Sequence, residues 1–210
     1  MGWSAEALQA YITFLATLLV ITDPLGNLPL FLLFTEQYTA AEQRRVAAIA
    51  TASAAGILVF FALTGNLVLQ LFAIELPAFQ IAGGLIFFIY ALQMLRLIPS
   101  GIKTSGAERQ EGIASEHVAL VPLAIPLLAG PGAITTVLVW RERLVSGLSP
   151  AALVTGIVAV CLVVFVVLAF GRRLRRLLGI GGIRVVERLM GLFLAVIAVQ
   201  FIVSGIEQLG

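Results

Sequence analysis

Long apolar runs separated by short polar intervals set the pattern of this chain. Six runs stand out, at about Ala7–Phe34, Val46–Phe72, Ala78–Leu97, His117–Trp140, Ala151–Phe170 and Val185–Ile206. A bilayer-spanning helix needs about 20 mostly apolar residues, and each run supplies them. The pattern predicts an all-α membrane protein with six transmembrane helices. The polar intervals are Thr35–Arg45, a turn at Glu75 and Pro77, the longer Pro99–Glu116, Arg141–Pro150, and a stretch containing the basic run Arg172–Arg176. Pro99–Glu116 divides the chain into a first three-helix repeat (1–98), a cytoplasmic linker (99–116) and a second three-helix repeat (117–210).

Two of the six runs carry helix breakers near their centres. The first holds Asp23-Pro24-Leu25-Gly26-Asn27-Leu28-Pro29, and the fourth holds Pro122, Pro126, Gly130, Pro131 and Gly132. Proline lacks the N–H that a helix interior requires and crowds the preceding turn. Helices 1 and 4 are therefore expected to be discontinuous. Shifting the second half by 107 residues pairs Pro24 with Pro131, Gly84 with Gly191, Ala91 with Ala198 and Gln93 with Gln200. With three helices per copy, the second copy must enter the membrane from the opposite side, which makes this an inverted repeat. Such repeats in transporters place substrate near the midplane, between discontinuous helices in corresponding positions. Broken backbone at that depth survives only where protein or a wet cavity satisfies it.

Composition agrees with a membrane reading. The chain is 60% hydrophobic and 11% charged, against about 25% charged in soluble domains, and no stretch is left over for a soluble domain. The net charge of +2 would suggest nucleic acid in a soluble protein; here the basic residues sit between the spans, so no nucleic-acid partner is expected. The side shared by the predicted termini holds Arg141 and Arg143, and the other side holds the remaining eleven of the thirteen Lys and Arg. The positive-inside rule places the eleven-charge side in the cytoplasm and both termini outside. Met1–Ala7 has no Lys or Arg, unlike the start of a cleaved signal peptide, so the first run is expected to remain as a helix. One cysteine, Cys161, and one histidine, His117, argue against a disulfide, a metal cluster or Ser-His catalysis. No cofactor, metal or enzymatic activity is expected.

Asp23 is the one acid in the middle of a span. A charge at bilayer centre costs at least ~3 kcal/mol on insertion scales. It reads in two ways: as a partner for a substrate ammonium or a carrier of the coupling proton, or as a cap for the helix that restarts after Pro24. Asn27 reads as a cap for that restarting helix or as a ligand contact. Thr22, Thr135 and Thr136 offer hydroxyls at the breaks or bonds to backbone one turn back. Gly130, Pro131, Gly132 and Ala133, with Ala129 before them, form the start of a half-helix, whose exposed N–H groups suit a carboxylate. The restart from about Gly26 offers the mirrored arrangement. Donors for a carboxylate and acceptors for an ammonium in one cavity suit a zwitterion; a phosphate or a plain cation would use part of the same set. Gly83, Gly84 and Gly191 read as close helix packing, and Arg172–Arg176 as a topology anchor that meets anionic lipid.

The Asp23–Pro29 motif resembles the first-helix motif of the MarC family of bacterial membrane proteins. Pro122-Leu123-Ala124-Ile125-Pro126-Leu127-Leu128-Ala129-Gly130-Pro131-Gly132-Ala133-Ile134-Thr135 resembles its fourth-helix motif. Ile81-Ala82-Gly83-Gly84 and Arg188-Leu189-Met190-Gly191-Leu192 resemble its third- and sixth-helix signatures. The resemblance spans essentially the whole chain. It implies a six-helix transporter of the bacterial inner membrane that moves small neutral amino acids such as glycine and alanine, coupled to the proton gradient. The site residues are then Thr22, Asp23, Gly26, Asn27, Ala129, Gly130, Pro131, Gly132, Ala133 and Thr135, with Asp23 in proton coupling. An exporter of another small solute and an ion or small-solute channel are the alternatives.

Overall fold

The computed structural model describes residues 5–98, 128–144 and 150–209, and all regular structure among them is helical. In chain order the helices are α1 (Ala5–Thr22), α2 (Leu28–Phe34), α3 (Ala40–Leu71), α4 (Leu76–Met94), α5 (Pro131–Leu144), α6 (Pro150–Ala169) and α7 (Gly171–Leu209). Among the described residues, five stretches are long and apolar enough to cross a membrane: Ala5–Thr22, Ala40–Gly65, Leu76–Met94, Pro150–Ala169 and Gly181–Leu209. The 99–116 linker and the predicted fourth span up to residue 127 lie outside the described residues.

Local chemistry moves two boundaries away from the hydropathy pattern. α3 starts at Ala40, inside the interval read as a loop. The Thr39 hydroxyl accepts the Glu42 N–H at 3.3 Å while Glu42 Oε2 accepts the Thr39 N–H at 2.7 Å. This capping box satisfies donors that a helix start leaves orphaned. α7 starts at Gly171, so the basic run is helical and not a loop; Gly179, at φ 65° and ψ 176°, then breaks the helix before the apolar span begins.

The two basic turns meet at one end of the bundle. Arg172 Nη2 donates to Thr35 O at 3.3 Å and Tyr38 O at 2.6 Å. The guanidinium groups of Arg44 and Arg173 lie 5.5 Å and 5.8 Å from the centre of the Phe170 ring, within cation–π range.

Two apolar clusters hold the helices together. In the larger, α3 offers Ala47, Ala50, Ala54, Leu58 and Ala62 at helical spacing, in one cluster with Leu153, Ile157, Val160 and Cys161 of α6 and with Phe14 and Leu18 of α1. Phe14 and Trp140 meet with ring centres 5.9 Å apart. The smaller cluster joins α4 to α7 through Phe87, Ala91, Met94, Leu194, Ala198 and Phe201. There the backbones come close. A Cβ on Gly84 would lie 2.9 Å from Ala198 O, and one on Gly191 would lie 3.4 Å from Ala91 O and 2.9 Å from the Met94 Cβ. Such close approach replaces the hydrophobic drive that helices lack within lipid. The two contacts are counterparts: Gly84 and Gly191 are 107 residues apart, as are Ala91 and Ala198.

The outer surface is apolar. Phe60, Leu63, Leu67, Leu85, Ile89, Leu162, Phe193 and Val196 are all exposed. A patch of this extent would be a liability in water; against lipid tails it is the solvated face. The chain is an integral, multi-pass membrane protein.

Gly84→Leu is expected to lower the thermal unfolding midpoint of the detergent-solubilised protein, by the equivalent of about 1–3 kcal/mol of overpacking. Gly56→Ala, where an added Cβ meets nothing within 4 Å, is expected to leave that midpoint unchanged or raise it.

Candidate functional site

The break between α1 and α2 is closed by its own residues. The Asp23 N–H still reaches Leu19 O at 3.1 Å, as a helix would. Asp23 then takes φ 38°, a left-handed setting that Asp tolerates better than most residues. Its Oδ1 accepts the Gly26 N–H at 3.0 Å, and its carbonyl accepts the Asn27 N–H at 3.0 Å. Asn27 Nδ2 donates to Thr22 O at 2.9 Å. Residue 26 has to be glycine, because a Cβ there would overlap the Asp23 carboxyl group.

Asn27 holds the N-cap position of α2, yet its side chain makes no cap bond there. It turns back to the last carbonyl of α1 instead. Pro29 stands in the first turn of α2 without an N–H, so a cap acceptor there has fewer donors to serve. Asn27 thus does not cap the restarting helix, as its capping reading expects; it caps the end of the preceding one. The Asp23 carboxylate caps the intervening turn and not α2 itself. Thr22 Oγ1 donates to Leu19 O at 3.2 Å, the backbone bond of its simpler reading. The N–H groups of Gly26, Asn27 and Leu28 all have acceptors within the turn, so α2 does not mirror the donor arrangement of the second break.

At that second break Leu128, Ala129 and Gly130 are buried ahead of α5. The Ile134 N–H reaches Gly130 O at 3.1 Å. Gly132 and Ala133, in the first turn, carry N–H groups of the kind every helix start leaves without an intrahelical acceptor. Thr136 Oγ1 donates to Gly132 O at 3.0 Å. Thr135 is buried.

α4 is the wall shared by both breaks. Gly83 lies against Thr135, where a Cβ would come 2.5 Å from the hydroxyl oxygen, and the Phe87 ring covers Gly132 so closely that a Cβ there would run into it. Tyr90 lies within electrostatic reach of Asp23. Gly83, Phe87 and Tyr90 follow one face of α4. Three residues, roughly 4.5 Å of helical rise, separate Phe87 at Gly132 from Tyr90. Glu187 of α7 also lies within electrostatic reach of Asp23, on the α7 stripe that continues through Gly191 and Leu194.

Asp23 is 3% exposed and Asn27 6%. A carboxylate this deeply buried, with one oxygen held by Gly26, can hold a proton or an ammonium group. The orphan N–H groups of α5 can take a carboxylate. Among the described residues no cluster of His, Cys, Asp and Glu suits a metal ion.

Sequence reading missed Phe87, Tyr90 and Glu187. Tyr90 carries a usable signal, a phenol within an otherwise apolar face one and two turns beyond Gly83. Glu187 sits between Arg184 and Arg188 in the first turn of its apolar run, and so it reads as an ordinary boundary charge.

Asn27→Ala leaves the buried Thr22 carbonyl without its partner, at a cost of about 1–3 kcal/mol. A clear fall in the unfolding midpoint in detergent is expected. An unchanged midpoint would mean that Asn27 does not hold the break together.

Comparison with known proteins follows the same outline. The model of a family described as MarC family integral membrane protein matches residues 8–209. A UPF0056 membrane protein of Aquifex aeolicus (strain VF5) is 35% identical over 207 residues, covering 99% of this chain and 97% of that protein. The UPF0056 membrane protein YhcE of Escherichia coli (strain K12) is 34% identical over 197 residues, covering 94% and 92%. An archaeal relative from Methanocaldococcus jannaschii, the UPF0056 membrane protein MJ1677, is 37% identical over 204 residues, covering 95% and 97%. No solved structure matches this chain. Spanned almost end to end by the family model and by these relatives, the chain belongs to the MarC family of integral membrane proteins.

Proposed function

We propose that this protein is a secondary transporter of small neutral amino acids of the glycine and alanine kind, working by alternating access and coupled to protons. The observation that carries this assignment is the shared α4 wall. Asp23 is a buried carboxylate at the first break with Tyr90 of α4 in electrostatic reach, and Phe87, about one turn before Tyr90, lies against Gly132 at the start of α5. An amino acid needs an acceptor for its ammonium and donors for its carboxylate, and the small residues at the start of α5 suit a substrate with little or no side chain. Asp23 binds the ammonium or carries the coupling proton; the start of α5 binds the carboxylate. Phe87, closing over Gly132, and the small residues Ala129, Gly130 and Ala133 limit the substrate's size. The role is binding and translocation, with no chemical step.

The same assignment takes the architecture as six spans in two inverted three-helix repeats, with both termini on the outer side of the plasma (inner) membrane. The reciprocal contacts of Gly84 with Ala198 and of Gly191 with Ala91 support the repeat. The meeting of the α2–α3 and α6–α7 turns at one end supports a common side for the basic intervals. Two matched halves around one site can rock between inward- and outward-open states, which is how inverted repeats move substrate.

The test is uptake of labelled glycine and alanine into proteoliposomes under an imposed pH gradient. Saturable uptake with counterflow is expected for the native chain; a non-saturating flux would indicate a channel. Asp23→Asn is expected to lose at least ten-fold in rate or to lose its dependence on the gradient. Normal transport with normal pH dependence in that variant would overturn the assignment. Gly132→Ala, which drives a methyl group into the Phe87 ring, is expected to abolish uptake while leaving a protein that still inserts.

A further inference from the structure

The basic end of the bundle contains a cavity that the transport site does not use. It has a volume of about 380 Å³ and is lined by Leu32, Glu36, Arg172, Arg175, Arg176 and Gly179. That falls within the roughly 300–1,000 Å³ of small-molecule sites. Its position follows from the chain. The segment 171–180 lies between two candidate spans, Pro150–Ala169 and Gly181–Leu209, and therefore runs along the membrane boundary. Leu174 packs on the core, while Leu177 is 83% exposed, as suits a helix resting in the headgroup layer. The left-handed Gly179 ends this short helix and forms one edge of the cavity.

The three arginines are not equivalent. Arg172 is tied to the carbonyl oxygens of Thr35 and Tyr38, so it fixes one wall. Arg175 and Arg176 make no ion pair or hydrogen bond among the described residues. Glu36, the one acid in the lining, forms no ion pair there either, leaving three positive charges against one negative. Guanidinium groups facing one cavity, with donors unused among the described residues, fit phosphate oxygens through paired N–H bonds.

We propose that this cavity binds a phosphate-bearing anion, gripped by Arg175 and Arg176 against the fixed Arg172. The chemistry is shared by an anionic phospholipid headgroup and a soluble phosphorylated molecule.

The test uses the full chain, delipidated in detergent. Binding of phosphatidylglycerol and of phosphatidylcholine is followed by native mass spectrometry, and binding of pyrophosphate is followed by calorimetry at constant ionic strength. Saturable binding of phosphatidylglycerol over phosphatidylcholine, without competition from pyrophosphate, identifies a lipid headgroup. Saturable pyrophosphate binding identifies a soluble ligand. In either case the double variant Arg175→Gln/Arg176→Gln is expected to weaken binding at least ten-fold, and Arg184→Gln, beyond Gly179 and outside the cavity, less than two-fold. The double Lys variant, which keeps the charge but not the planar fork, is expected to fall between them and serves if the Gln pair misfolds. Absence of saturable binding, equal binding of phosphatidylcholine, or an equal loss in Arg184→Gln would overturn the proposal.

Discussion

Within hydrocarbon there is no water to take up a lone backbone N–H or carbonyl, and each one left unpaired costs several kcal/mol. The interruption of the first span therefore has to close on itself. Asp23, Gly26 and Asn27 do this in five residues: the carboxylate takes the Gly26 N–H, the Asp23 carbonyl takes the Asn27 N–H, and the Asn27 amide takes the Thr22 carbonyl. The rest of the architecture depends on that closure. Without it α1 could not end at Thr22, nor α2 restart with Pro29 in its first turn, with the backbone between them satisfied.

The closure gives Asp23 two roles that meet on one side chain. One carboxylate oxygen is a structural acceptor, and the group as a whole is a buried acid with Tyr90 and Glu187 in electrostatic reach. Structural and functional readings of this residue are thus not exclusive. A local bond to Gly26 fixes the position of the acid, in the way second contacts orient the groups of a binding site.

α4 links the site to the global fold. One face lies against α7, where glycines bring the two backbones together. Another presents Gly83, Phe87 and Tyr90 to the two breaks. At Gly84 and Gly191 the side chains of Ile202 and Met94 come up against the space that a Cβ would take, so the two helices pack with no room for a larger residue.

Much of this was legible in the sequence because membrane segments announce themselves. Run length reported the five spans found among the described residues, and Pro and Gly within the first run reported its break. The glycines at positions 84 and 191 reported close packing, borne out at both. The early start of α3 was legible too, in Thr39 and Glu42 at capping-box spacing, although hydropathy hides it because those residues are polar. What the sequence by itself determined is the membrane class, the approximate spans and the places where helices cannot continue, since these follow from burial cost and from the chemistry of single residues. Tertiary structure alone decided which carbonyl Asn27 serves, that Phe87 covers Gly132, and that Tyr90 and Glu187 come within electrostatic reach of Asp23. Those outcomes depend on distances between segments far apart in the chain, and hydropathy along one strand of sequence carries no information about them. The Asp23–Pro29 stretch thus shows its breakers in sequence, but its partners only in space.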